Sequence, residues 1–256
     1  MRFLRPFAAL FGLGFLGILS LIPIVVQAAP ALRASTGMPY LSDVALAAFA
    51  LIQPTILLAV AVATGVVLHE RVELTSHIAA LTRRAQYRWP SSAALAKILA
   101  LAALLATLVA AADLMFRIVA PSSFLGVPRV DQVNAAGRAT TLLYGGITEE
   151  LLMRFGLMTA LVWAGLRLLS RRADWIVVAA ILFSAFVFAA GHIPALVSEG
   201  VPDAMLIGRT ILLNFALGAF FGWVYWRHSL ELAMLAHAAT HVVFWIVTPL
   251  LVAPLI

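Results

Sequence analysis

The stretch TTLLYGGITEELLMRFGLMTALVWAGL, residues 140–166, combines two properties that conflict. It is long and apolar enough to cross a bilayer, which takes about 20 residues in a helix. Yet Glu149, Glu150 and Arg154 fall within six positions of each other inside it. Ionisable side chains in lipid are costly, so each marks a functional hypothesis. The segment is therefore read as a transmembrane helix that carries chemistry.

The rest of the chain agrees with that solvent. Hydrophobic residues make up 64% of the 256 residues and charged ones 11%, against roughly 45–50% and about 25% in soluble domains. With a mean hydropathy of +1.06, this apolar excess exceeds what one globular core can hide, and lipid must solvate much of it. The sequence pI of about 10.7 does not indicate nucleic acid, because no basic domain carries the charge. There is no cysteine, which excludes disulfides, thiolate metal sites and a Cys nucleophile.

Working outward, apolar runs predict an all-α polytopic bundle of about seven spans: 7–28, 44–68, 92–119, 140–166, 175–196, 205–225 and 232–254. Arg2, Arg5, Arg71, Arg83, Arg84, Arg88, Arg167, Arg171, Arg172 and Arg227 fall on one side of a simple zigzag. The other side holds Arg33, Arg129, Arg138, Glu199 and Asp203. The positive-inside rule then expects a cytoplasmic N-terminus in a bacterial inner membrane. Residues 1–28 also fit a secretory signal peptide ending at Val26-Gln27-Ala28. Their long apolar core favours a retained helix. The chemistry is confined to residues 139–256, with 1–138 as N-terminal helices and a basic linker.

Glu150 and Arg154 stand at i,i+4 and can pair. Glu149, about 100° around the helix, points to a different face and has no partner within its own helix. Such a carboxylate is a candidate general base or acid, the alternative being interhelical glue. Phe188 and His192 share a face in the fifth span, where Pro194 bends or ends the helix. His237 and His241 project from one face of the last span. That spacing suits two metal ligands or two donors to one oxyanion, the alternative being a polar patch near the surface. Asp113 and Arg117 form another i,i+4 pair, and Gly218 with Gly222 makes a GxxxG packing stripe beside Asn214.

Three elements in order, Glu149-Glu150-x-x-x-Arg154, Phe188-x-x-x-His192 and the final helix at His237, resemble the CAAX-protease and bacteriocin-processing (CPBP, or Abi) family of intramembrane peptidases. The resemblance covers about residues 139–245. It implies that Glu149 and His192 activate a water and that His237 and its partner four residues on stabilise the oxyanion. That partner, often Asn in the family, is His241 here. A neutral His still donates one hydrogen bond. The change also makes a zinc site of Glu149, His192, His237 and His241 chemically easier. The preferred expectation is a metal-independent glutamate mechanism acting on a peptide or protein within lipid. The Ala/Arg-rich composition reads as bacterial, which argues against a prenylated substrate.

The rival readings are a proton- or ion-coupled transporter, and a catalytically silent scaffold or bacteriocin-immunity protein. A transporter predicts repeated halves with broken helices, and no repeat is visible. One tension stands. Along the assigned spans Glu149 and His192 lie toward the outer half and His237 toward the inner side. Convergence requires kinked or shorter helices, with Gly145-Gly146 and Pro194 as the candidate places.

Overall fold

The computed structural model describes residues 2–36, 41–86, 89–169, 173–198 and 203–253. Arg88, Arg171, Arg172, Glu199 and the Pro254 end of the last expected span lie outside these residues. Among the described residues the structure is helical, without strands. Its helices are α1 (Leu4–Leu19), α2 (Ile22–Thr36), α3 (Asp43–Leu68), α4 (His77–Thr82), α5 (Ser92–Val119), α6 (Ala135–Thr140), α7 (Thr159–Leu169), α8 (Asp174–Ala190), α9 (Ile193–Ser198), α10 (Ala204–Arg227) and α11 (Leu230–Val252). Between α6 and α7 the chain stays helical but widens into π-turns over Thr141–Glu149 and Leu151–Met158.

Small polar residues set where the long helices begin. The side chains of Ser42, Ser91, Asn134, Asp203 and Ser229 each accept a hydrogen bond from an amide in the first turn, starting α3, α5, α6, α10 and α11. Asp203 also accepts from Ser123, which ties the 120–134 loop to the start of α10. That bond, then the Leu206 amide, holds the Asp203 carboxyl below its ordinary range.

Burial is inverted relative to a soluble protein. Val44, Phe49, Leu104, Leu108, Phe183, Phe186 and Ile246 are exposed, while Thr148, Glu150, Arg154, Thr159, Ser184 and Thr240 are buried. Apolar side chains outward and polar ones inward are what a lipid solvent selects. The chain is a multi-pass membrane protein.

The expected seven spans resolve differently. Five helices are long and apolar enough to cross: Asp43–Val72, Ser92–Val119, Ala135–Leu169, Ala204–Arg227 and Leu230–Val252. The first expected span, 7–28, is instead two helices, α1 and α2, meeting at 49°. Pro23 has no amide proton to continue the α1 ladder, and the Ser20 hydroxyl donates to the Gly17 carbonyl at 2.6 Å. The fifth span also shortens. α8 stops at Ala190, Gly191 and His192 turn, and Pro194 sits in the first turn of α9, where a missing amide is tolerated.

The π-stretch is the hub of the bundle. α1, α3, α8 and α11 all pack on it. Thr148 donates to the Gly14 carbonyl of α1 at 2.7 Å. A Cβ on Gly146 would lie 3.1 Å from that of Ala238, so the glycine lets α11 approach closely. The GxxxG stripe acts as expected. Gly218 and Gly222 face Ala185 and Ile181 of α8, with added Cβ atoms only 3.2 and 3.0 Å from them.

The end of the bundle carrying Arg2 and Arg83 also holds a carboxylate clip. Glu231, in the first turn of α11, accepts from Ser76 Oγ (2.7 Å), His77 N (2.9 Å) and Ile78 N (3.0 Å). It thereby caps α4 and ties that helix to α11. Replacing Glu231 with Ala removes three charge-assisted bonds. Thermal unfolding in detergent should register a loss of about 2 kcal/mol, and hydrogen exchange at the His77 and Ile78 amides should accelerate selectively.

Candidate active site

Glu150 and Arg154 sit at zero exposure in the middle of the bundle. Their side chains pair as the i,i+4 spacing predicted, Arg154 Nε standing 3.3 Å from Glu150 Oε2. At that distance and angle it is an ion pair without an aligned hydrogen bond. The guanidinium is otherwise held by the Gly218 carbonyl, to which Nη2 donates at 2.7 Å. It also lies between two aromatic faces, 4.8 Å from the centre of Phe188 and 5.6 Å from that of Phe221.

The other Glu150 oxygen reaches across to the last helix. Oε1 accepts from His237 Nδ1 at 2.9 Å. A carboxylate accepts here, so His237 carries its proton on Nδ1 and its free ring nitrogen is Nε2. The His237 ring is stacked on Phe221 (centroids 4.3 Å apart) and on His241 (5.1 Å). The Phe188 edge closes a further side at 5.8 Å.

His192 is fixed by the same logic. Its Nδ1 lies 2.8 Å from the Phe188 carbonyl, which can only accept. The lone pair is therefore on Nε2. Phe188 also meets the His192 ring edge-on at 4.9 Å, so one phenyl ring spaces Arg154, His192 and His237. Its role in the motif is to hold this array apart at fixed distances.

Glu149, His192, His237 and His241 line one cavity of about 360 Å³. Glu149 and His241 face each other across Gly145. A Cβ built there would lie 3.0 Å from His241 Nε2 and 3.8 Å from Glu149 Oε2. The glycine keeps the space between the carboxylate and the imidazole open. Of the predicted site residues only Glu150 stands behind the wall.

This arrangement resolves the depth tension. The Phe188 ring touches both imidazoles, and His192 and His237 line the same cavity. The π-turns change the angular spacing assumed for an ordinary helix, because each takes in one more residue than an α-turn. Sequence reasoning missed Phe221, Tyr144, Asp113, Arg209 and Trp245 as neighbours of the cavity. Phe221 lies within the glycine stripe, and its register against α8 was the available signal. Asn214 does line the cavity, and its amide nitrogen donates to the Thr210 carbonyl at 2.9 Å.

For the zinc alternative, His237 Nδ1 is engaged by Glu150 and His192 Nδ1 by a backbone carbonyl, which leaves Nε2 as the ring atom each could offer a metal. Among the described residues no three His, Asp or Glu side chains are grouped as metal ligands.

Residues 132–243 match the family model described as Type II CAAX prenyl endopeptidase Rce1-like. The segment contains Glu149, Glu150, Arg154, Phe188, His192, His237 and His241, so the resemblance read from the three motifs holds. The match, over fewer than half of the residues of the chain, supports an intramembrane CAAX-type protease at the level of the family. No curated protein and no solved structure matches the chain.

Removing one partner of a fully buried ion pair strands the other charge at a cost of roughly 3–5 kcal/mol. Arg154→Met should therefore lower the detergent unfolding midpoint sharply. The double variant Glu150→Gln with Arg154→Met should recover a large part of that loss. A double variant less stable than Arg154→Met alone would show that the stranded Glu150 charge is not what destabilises the single variant.

Proposed function

We propose that this Rce1-like membrane protein is an intramembrane endopeptidase in which Glu149 activates the hydrolytic water without a metal. The observation that carries the reading is that Glu149, His192, His237 and His241, from three separate helical segments, converge on one cavity walled by apolar side chains. Such a site has a base, donors and restricted water, the three requirements of amide hydrolysis.

In the proposed reaction the Glu149 carboxylate accepts one proton of a water and His192 Nε2 accepts a hydrogen bond from the other. The water oxygen then attacks the scissile carbonyl carbon, and the carbonyl oxygen becomes an oxyanion. His241 has no side-chain hydrogen bond among the described residues, so its ring is free to donate from Nε2. His237 differs from the role expected for it. A neutral ring with its proton committed to Glu150 offers only a lone pair at Nε2. In this reading the His237 lone pair accepts a hydrogen bond within the cavity, Glu150 fixes the orientation of the ring, and the oxyanion is met by His241. Collapse of the intermediate breaks the C–N bond, and the proton held by Glu149 passes to the departing amine.

The basic end of the bundle, with Arg2, Arg5, Arg71, Arg83, Arg84 and Arg227, supports an orientation with the N-terminus in the cytoplasm of a bacterial cell. The substrate is a peptide or protein that reaches the cavity within the bilayer. No observation on the cavity favours a prenyl group on it.

In a cleavage assay on purified protein, Glu149→Gln and His192→Ala should each lower kcat/KM by about 10²–10⁴, with the unfolding midpoint retained. Chelator should leave the parent activity unchanged. Loss with chelator and rescue by zinc would overturn the metal-free mechanism. Equal activity in parent, Glu149→Gln and His192→Ala would remove the peptidase assignment and favour a silent scaffold.

A further inference from the structure

In the wall of the same cavity, Asp113 of α5 receives two guanidinium groups. Arg117 Nε donates to its Oδ2 at 3.0 Å, and Arg209 Nε of α10 donates to its Oδ1 at 2.7 Å. Two cations against one carboxylate leave a surplus positive charge. The two arginines are used differently. Arg117 spends its remaining nitrogens on the loop, Nη1 on the Val127 carbonyl at 3.0 Å and Nη2 on that of Pro128 at 3.1 Å. It also lies over the Phe124 ring. Each of its three nitrogens is thus engaged.

Arg209 is less fully engaged. Both of its contacts to Asp113 go to Oδ1, and among the described residues its Nη1 makes no hydrogen bond. The side chain is 17% exposed, and Arg209 and Asp113 line the cavity that Glu149 lines, among Val109, Leu213 and Leu217. On α11, two turns beyond His241 on the cavity side, Thr248 Oγ1 is buried without a hydrogen-bond partner. A guanidinium with donors to spare, in a largely apolar cavity that also holds an unpaired hydroxyl, is suited to receive an anion.

We propose that Arg209 is a specificity-determining subsite that binds a carboxylate of the substrate peptide within the cavity that Glu149 lines. This rests on the peptidase reading for its purpose, but binding can be read without cleavage. The carboxylate has two sources in a peptide, the C-terminus or an Asp or Glu side chain. In either case one end of the substrate is anchored on Arg209 while the scissile bond lies by Glu149. A peptide without that anion would lose affinity and register together.

The test uses three forms of an alanine-leucine dodecapeptide: free C-terminal carboxylate, C-terminal amide, and amide with an Asp near the C-terminus. Binding is measured to the full chain carrying Glu149→Gln, which blocks turnover, and to Glu149→Gln with Arg209→Gln. The free acid should bind about ten-fold tighter than the amide, and Arg209→Gln should abolish that difference while barely moving the amide. Arg209→Lys, which keeps the charge and loses the fork, should keep part of it. Recovery of tight binding by the Asp peptide would identify side-chain carboxylates as ligands. No recovery would identify the C-terminus. Equal binding of acid and amide, no binding of either, or a preference that survives Arg209→Gln would overturn the proposal. Arg209-dependent binding with no cleavage by the parent protein would sink the peptidase reading and leave the subsite standing. Cleavage without carboxylate preference would do the reverse.

Discussion

A carboxylate and a guanidinium at zero exposure in a lipid-solvated bundle constrain everything packed around them. Neither charge can be stranded there without a cost of several kcal/mol. Glu150 must meet Arg154, Arg154 must find the Gly218 carbonyl and two aromatic faces, and the second Glu150 oxygen must find His237. Those demands join the π-stretch to α8, α10 and α11 in one polar knot. The proposed catalytic array is the outer layer of that knot. Glu149 projects from the same turn into the cavity, and Phe188 spaces the two histidines that flank it. Gly145, Gly146 and Gly218 supply the close approaches without which the knot could not be tied.

Much of this was legible in the chain. The apolar runs fixed a helical membrane protein, because no soluble core absorbs such a composition. The i,i+4 spacing of Glu150 and Arg154 forecast their pairing, and the histidines at 237 and 241 forecast a shared face. What stayed hidden depends on geometry between helices. Hydropathy saw one run through residues 7–28, although Pro23 breaks it in two, and it carried the fifth span past Ala190, although the helix stops there. The π-turns have no strong residue signature, since their stability comes from neighbours packed against them. Arg209 was invisible as a cavity residue because its partner Asp113 already had a local explanation in Arg117. The hydrogen bond from His237 to Glu150 spans 87 positions and changes the tautomer argument for that ring, which no local pattern could reveal.

The N-terminal helices lie outside the family match, yet they pack against its centre. Phe155 fills the space opposite Gly65 of α3, and Gly156 lies against Ala61. Thr148 and Thr140 donate to α1 carbonyls and to the residue after that helix. Helices α1 and α3 therefore seal the back of the π-stretch, while α5, α8, α10 and α11 contribute to the cavity on its other side.

The length of α8 has a consequence for the bilayer itself. Its 17 residues rise roughly 25 Å, short of the about 30 Å hydrocarbon thickness of a typical membrane. A helix that ends early forces the acyl chains beside it to thin or lets headgroups sink toward its last turn. That last turn carries Phe188 and leads into His192. The proposed hydrolysis depends on water reaching an oily medium, and a local dimple in the hydrocarbon beside His192 is where that water would be admitted.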